Sequence, residues 1–209
     1  VTILEPVKLD VPAELKGRKR RIAAGAALYQ IMSALMFRTA DTNNTVLGRV
    51  IESAHEYGGK KLAVEDPIAG KLSYAKLLTG AAVLGAKFKK MFPNEKTLGV
   101  MLPNANGTAA TVLGVMSAGK VPAMLNFTAG AANILSACRT AEVKHVLCSR
   151  AFITQAKLGP VVEELEKQVT FVWLDELRTQ ITFLNKIVGL MRKYRPLVKR
   201  TADDAAVIL

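Results

Sequence analysis

Apolar positions in this chain form short runs that alternate with helical segments. The clearest case is an apolar run at Leu98–Leu102, a small-residue segment at Ala105–Ala118 and a second apolar run at Val121–Leu125. Pro103 follows the first run, and Gly119 follows the helical segment. Both runs are apolar on both faces, which is typical of buried parallel strands. The pattern predicts one right-handed βαβ unit.

The same rhythm continues along the chain. Predicted strands begin at Thr97, Val121, His145 and Val169, so that successive starts are 24 residues apart. One strand and one crossover helix fit that interval. The spacing therefore predicts an α/β fold: a doubly wound, mainly parallel sheet with flanking helices.

Local signals place the remaining elements. Before the βαβ unit they predict a helix at Val46–Tyr57, a strand at Leu62–Glu65, a turn at Pro67–Gly70 and a helix from its cap Ser73 to about Met91. After it they predict a helix at Ala129–Ala141 capped by Thr128, a strand at Lys144–Cys148 and a helical segment at Ala151–Lys167 that is broken or kinked near Gly159-Pro160. A strand at Val169–Leu174, a cation-rich helical excursion at Glu176–Arg200 and a final strand entering Leu209 follow.

The N-terminal segment differs in character. Residues 1–15 carry mixed polarity and suggest a linker, and five cations then precede the uncharged stretch Ile22–Phe37: Lys16, Arg18, Lys19, Arg20 and Arg21. Three interpretations of Ile22–Phe37 remain open. It is a helix packed on protein, an interfacial helix held by the cations on anionic headgroups, or a spanning helix, for which it is short.

Composition limits the function classes. Half of the residues are hydrophobic, which indicates a packed core. The net charge of +12 favours acidic partners such as anionic lipid or an acidic protein. The basic runs lack interleaved aromatic residues, so nucleic acid is not an expected partner. Cys138 and Cys148 have no CxxC spacing, which indicates buried, reduced thiols.

Both ends of the chain suggest a piece of a longer protein. The sequence starts at Val1 without methionine and stops inside the apolar run Ala205–Leu209. We therefore expect an active site that lies partly or wholly outside these residues.

No complete set of catalytic residues is visible. The turn at Pro103–Gly107 lacks the GxGxxG glycines that admit a pyrophosphate, and Gly119-Lys120 precedes a strand rather than a helix. We expect Gly119 to end a helix and Lys120 to be a surface charge. His55 and His145 have no neighbours in a metal-binding pattern, and Asp66, Asp175 and Asp203-Asp204 stand where carboxylates cap elements.

Two sequence blocks resemble those of the adenylate-forming superfamily of acyl-CoA synthetases, luciferases and peptide-synthetase adenylation enzymes. Residues 72–77, LSYAKL, look like the first block of that superfamily, and residues 117–126, SAGKVPAMLN, look like the second. The order of the blocks, with Leu102-Pro103-Asn104 between them, strengthens the resemblance.

A closer resemblance covers about residues 46–152. This part is similar to the acyl-acyl carrier protein synthetase half of bacterial 2-acylglycerophosphoethanolamine acyltransferases, and Leu15–Thr39 looks like the bridge between their two domains. The resemblance implies that residues 1–44 follow an acyltransferase domain. It also implies that residues 45–209 form the N-terminal part of an AMP-binding domain and end before its phosphate loop.

The resemblance implies an activity for the parent protein. A fatty acid would react with ATP, in the presence of Mg²⁺, to give an acyl-adenylate. The thiol of acyl carrier protein would then displace AMP, and a lysophospholipid would finally receive the acyl group on the cytoplasmic side of the bacterial inner membrane. Contact with that anionic membrane would involve Lys16, Arg18, Lys19, Arg20 and Arg21.

No catalytic, cofactor-binding or metal-binding residue is carried over to this chain, and neither ATP nor Mg²⁺ is expected on the fragment alone. Gly119, Pro122 and Asn126 are carried over as turn positions of the second block. A long-chain acyl-CoA synthetase is the alternative within the superfamily. A basic module that binds membrane or nucleic acid is the alternative outside it.

Overall fold

The computed structural model describes residues 5–40, 42–67 and 69–209, which form two compact units. The first unit is Val1–Asn43 and the second is Asn44–Leu209. The predicted turn at Pro67–Gly70 includes Ile68, and the predicted linker at residues 1–15 includes residues 1–4. Those five residues lie outside the described part.

The first unit contains one long helix, α1 (Gly17–Thr39). It begins within the cationic run and continues through the uncharged stretch. None of its residues is buried. Among the helices that the structure describes, none combines the length and the apolar character needed to cross a bilayer.

The second unit contains eight helices and six strands within its described residues. The helices are α2 (Val46–Glu56), α3 (Tyr74–Met91), α4 (Asn106–Ser117), α5 (Ala131–Thr140), α6 (Arg150–Gln155), α7 (Gly159–Leu165), α8 (Leu174–Thr179) and α9 (Phe183–Arg192). The strands are β1 (Leu62–Asp66), β2 (Gly70–Ser73), β3 (Thr97–Val100), β4 (Val121–Met124), β5 (His145–Cys148) and β6 (Thr170–Trp173).

The central sheet has the order β4-β3-β5-β6, with all three pairs of strands parallel. The chain leaves β3 for β4 on one side, then crosses back to place β5 on the other side of β3. Helices cover both faces. Leu98 and Val100 of β3 pack in a cluster with Phe88 and Leu177, whereas Met101 packs in a second cluster with Ile134. The predicted doubly wound α/β fold is therefore confirmed.

The last apolar run adds a short extension to this sheet. The Ile208 amide donates to the Pro122 carbonyl at 3.0 Å, and the Met124 amide donates to the Ile208 carbonyl at 2.8 Å. These bonds make a parallel bridge between Ala123 and Ile208 beside β4. The predicted final strand is present as this single bridge.

One local prediction was wrong, and one strand was missed. Helix α5 begins at Ala131 with Gly130 as its N-cap, because Thr128 donates its hydroxyl to Asn126 Oδ1 at 2.8 Å within a tight turn after β4. The strand β2, which pairs antiparallel with β1, was not predicted, because Gly70–Ser73 contains a single large apolar residue.

The predicted interruption near Gly159-Pro160 is confirmed as a break. The chain forms two helices, α6 and α7, and the break lies between them. Lys157 in this break has a φ of 55°, which ends α6 in the left-handed region.

Candidate functional site

The topology points to the edge formed by the carboxyl ends of the parallel strands as the place for a ligand. The chain turns to opposite sides after β3 and after β5, so the loops at their carboxyl ends diverge. Ligands of doubly wound sheets bind in the crevice at such a switch point. A groove of about 580 Å³ lies there, between α3, α4 and the segment after β6.

The groove is apolar at its base and polar at one side. Val83, Leu102 and Leu174 supply apolar surface, and Asp175 and Arg178 supply opposite charges. This lining can hold an apolar group and orient a polar end. Among the described residues, no three His, Cys, Asp or Glu side chains are arranged to hold a metal ion.

Asp66 occupies the amino end of α4, the helix that follows β3. Its Oδ2 accepts a hydrogen bond from the Asn106 amide at 2.7 Å, and Asp66 is buried. Asn106 in turn donates its side-chain amide to the Gly70 carbonyl at 2.7 Å. In nucleotide-binding βα units, a phosphate lies at this helix end. A carboxylate of the protein, that of Asp66, fills the position here.

A second carboxylate fixes the loop after β5. Asp175 accepts hydrogen bonds from the Ser149 hydroxyl at 3.2 Å and from the Arg150 amide at 2.6 Å. The Arg150 guanidinium pairs with Glu176 at 2.6 Å and lies 4.2 Å from the centre of the Trp173 ring. The capping role predicted for Asp175 is confirmed. The contacts of Arg150 were missed, since they join residues from two different strand ends.

The three residues of the second block lie along one path from α4 through β4. Gly119 follows α4 with a φ of 76°, a value that favours glycine. Pro122 lies within β4, and its carbonyl accepts the hydrogen bond from Ile208. Asn126 accepts from Thr128 in the turn after β4. All three shape the backbone around β4, and none of them lines the groove.

Lys120 is not the surface charge that the sequence suggested. It is 7% exposed, and its Nζ donates to the Glu95 carbonyl at 2.7 Å. Burial lowers the pKa of Lys120, and the nearby Glu95 carboxylate opposes that shift. The chain passes directly from α4 into β4 here, so the side chain is directed along the amino edge of the sheet and away from solvent.

His145 belongs to the same amino edge. Its Nδ1 lies 3.5 Å from Glu95 Oε1, and its ring lies 4.8 Å from that of Phe92. His55 packs on Tyr194, with ring centres 4.6 Å apart. Both histidines therefore pack against neighbouring side chains, and neither lines the groove.

The cations at the start of the chain belong to the first unit. Lys16 is the N-cap of α1, and Arg18, Lys19, Arg20 and Arg21 fall in its first turns. All five side chains are exposed.

Comparison with solved structures shows that this α/β fold also occurs within larger proteins. No protein-family model matches the sequence. The structure of VinN with 3-methylaspartate matches with a TM-score of 0.61 and 17% identity, over 79% of this chain and 43% of VinN.

Two further structures show the same likeness. The N-terminal domain of FACL13 from Mycobacterium tuberculosis has a TM-score of 0.54 and 14% identity, over 65% of this chain and 35% of that chain. O-succinylbenzoate coenzyme A synthetase (MenE) from Bacillus subtilis, in complex with AMP, has a TM-score of 0.53 and 15% identity, over 66% of this chain and 33% of that chain. This chain thus spans less than half the length of each, and the likeness establishes the fold.

Proposed function

We propose that this chain is the N-terminal part of the adenylating domain of an enzyme that activates fatty acids. The observation that carries the proposal is the shared fold, which covers 79% of the chain in the match to VinN. The two sequence blocks support it, because the first begins α3 at its cap Ser73 and the second joins α4 to β4. Helices α3 and α4 pack on one face of the sheet, against Leu98 and Val100 of β3.

The proposed reaction of the complete protein begins with a fatty acid carboxylate. Its oxygen bonds to the α-phosphorus of ATP, pyrophosphate leaves, and an acyl-adenylate forms. The thiol of acyl carrier protein then attacks the acyl carbon and AMP leaves. A lysophospholipid hydroxyl finally takes the acyl group from the thioester.

The described residues do not fit ATP or Mg²⁺. The α4 amino end is occupied by Asp66, the turn before it lacks the required glycines, and the described carboxylates do not form a metal cluster. We therefore assign no catalytic step to them. Their proposed role is structural: they support the adenylating site, and the groove at the switch point is the part of their surface that faces this site.

The charge of the chain supports the proposed partners. At a net +12, the protein would attract an acidic carrier protein and an anionic inner membrane, where we place it on the cytoplasmic side. The exposed cations of α1 are our candidates for that membrane contact. A long-chain acyl-CoA synthetase is the second candidate, because MenE, named a coenzyme A synthetase, shares the fold.

The test is fatty-acid-dependent ATP–pyrophosphate exchange. The full product of the gene that encodes these residues should catalyse exchange, whereas the 209-residue chain alone should not. Acyl transfer from the full product to acyl carrier protein, measured beside transfer to coenzyme A, separates the two candidates. Absence of exchange from the full product with every fatty acid tested would refute the proposal, and exchange by the short chain would show that the site is misplaced.

A further inference from the structure

Helix α9 directs its apolar side chains away from the domain to which it belongs. Phe183, Leu184 and Met191 are 75%, 71% and 81% exposed. Ile187, Val188 and Leu190 are also exposed. These positions recur at helical spacing, so they form one continuous strip along the outer side of the helix.

The opposite side of α9 holds the helix in place. Gly189 is buried against α3, where a Cβ would lie 2.4 Å from Val83 Cγ2. The Thr182 hydroxyl and the Asn185 side chain cap the first turn reciprocally. A well-capped helix, docked through its glycine, therefore presents its apolar strip to the outside as a fixed surface.

The charge around this strip has a single sign. Between Thr182 and Thr201 the sequence has no Asp or Glu and carries six cations: Lys186, Arg192, Lys193, Arg195, Lys199 and Arg200. Lys186 and Arg192 border the strip on its two sides, as the helical spacing places them. Basic residues beside an exposed apolar strip are typical of helices that lie in the interface of a membrane.

A basic groove continues from the strip. It measures about 750 Å³ and lies between the end of α3 and α9. Val188 and Met191 contribute apolar wall, and four exposed cations surround it: Lys89, Lys90, Arg192 and Arg195. Within the described part of the chain, the ion pairs do not include any of these four. The groove can therefore accept a phosphate-bearing headgroup while acyl chains meet the strip.

We propose that α9 and the basic groove are a docking surface for an anionic phospholipid bilayer. Charge argues against a second copy of the chain, since a twofold contact would bring the same cations face to face. A fluid bilayer can accommodate the large exposed side chains of the strip. The inference does not depend on the proposed adenylating activity.

The test is co-sedimentation of the 209-residue chain with vesicles. We expect binding to phosphatidylglycerol-containing vesicles at least ten times tighter than to pure phosphatidylcholine, and weaker binding at high salt. The double substitution Leu184→Gln and Met191→Gln should weaken binding at least tenfold. Leu62→Gln, on the exposed part of β1, is its matched control and should bind as the unaltered chain does.

A second pair of variants tests the charges. Lys90→Gln, Arg192→Gln and Arg195→Gln together should weaken binding at least tenfold. The control removes three exposed cations elsewhere, Arg139, Lys144 and Lys157, and should have a much smaller effect. All of these side chains are exposed, so unchanged urea midpoints will show that folding is intact.

A fluorescent label locates the contact. The native Cys138 and Cys148 are buried, so an environment-sensitive dye will attach selectively to Met191→Cys or to the control Lys157→Cys. Vesicles should shift the emission of the first to shorter wavelength and leave the second unchanged. The inference is overturned if the chain binds anionic and neutral vesicles equally well. It is overturned as well if the Leu184/Met191 double variant and the Lys90/Arg192/Arg195 triple variant both bind as tightly as the unaltered chain. It is also overturned if only neutralising the five cations at Lys16–Arg21 abolishes binding.

Discussion

Asp66 Oδ2 and the Asn106 backbone amide are 2.7 Å apart, although 40 residues separate them in the chain. This bond ties the β1–β2 hairpin to the helix that follows the first strand of the central sheet. It also places a fixed negative charge at the positive end of α4, where the helix dipole favours it. The same helix end in a nucleotide-binding unit would be left open for phosphate.

Replacing Asp66 should therefore cost stability. Asp66→Ala leaves the buried Asn106 amide without its acceptor, and we expect a loss of about 1–3 kcal/mol in the free energy of unfolding. Urea denaturation followed by circular dichroism measures it. Glu65→Gln, at the exposed neighbouring position, should stay within about 0.5 kcal/mol of the unaltered chain. Equal effects of the two substitutions would contradict the capping role.

Gly119 should tolerate alanine less well than Gly130 does. Both have positive φ, 76° and 81°, so both substitutions carry the strain of the left-handed region. A Cβ at Gly119 would also lie 2.6 Å from Val198 Cγ1, whereas a Cβ at Gly130 meets no atom within 4 Å. We expect losses of about 2–4 kcal/mol for Gly119→Ala and about 1 kcal/mol for Gly130→Ala, measured by urea denaturation. The order of the two losses is the decisive result.

Lys120 should make stability depend on alkaline pH. Burial lowers its pKa in the folded chain below the value of 10.5 that it has when unfolded. Between those two values the unfolded state binds more protons, so the free energy of unfolding rises with pH. Lys120→Met removes this contribution, and its stability should rise less than that of the unaltered chain as the pH approaches 10.5. Urea denaturation at a series of pH values measures both slopes, and parallel slopes would contradict the prediction.

Cys148 should be unreactive in the folded chain. Burial raises the pKa of its thiol to about 12, and burial raises the pKa of Cys138 as well. Because the thiolate is the reactive form, a disulfide reagent at neutral pH should modify both only when the chain unfolds. Thiol titration with and without guanidinium measures this. Rapid modification of either cysteine in native buffer would show that the fold opens locally.

The strands of the central sheet could be predicted because each has a local signal. Every apolar run is short, and Pro103 and Asn126 follow the runs of β3 and β4. The repeated interval then favours parallel strands that are joined by crossover helices. Strand β2 had no such signal, since its residues are mainly small or polar, and it forms only because β1 lies beside it.

The candidate site was less accessible to sequence reasoning. The position of the groove depends on the side of β3 on which the chain places β5, and no local sequence pattern predicts that side. Asp66 could be predicted as a cap, but its partner 40 residues away could not. Lys120 looked like a surface residue because lysine is rarely buried, and its acceptor, the Glu95 carbonyl, lies on a distant loop.

Trp173 gives this molecule a built-in optical reporter. It is the only tryptophan in the chain, and it precedes Leu174 and Asp175, which line the groove at the switch point. The Arg150 guanidinium stacks on its indole and pairs with Glu176 of α8, and the Arg150 backbone directly follows the loop after β5. A ligand that displaces that loop must change the surroundings of the indole, so intrinsic emission can follow occupation of the groove without any label.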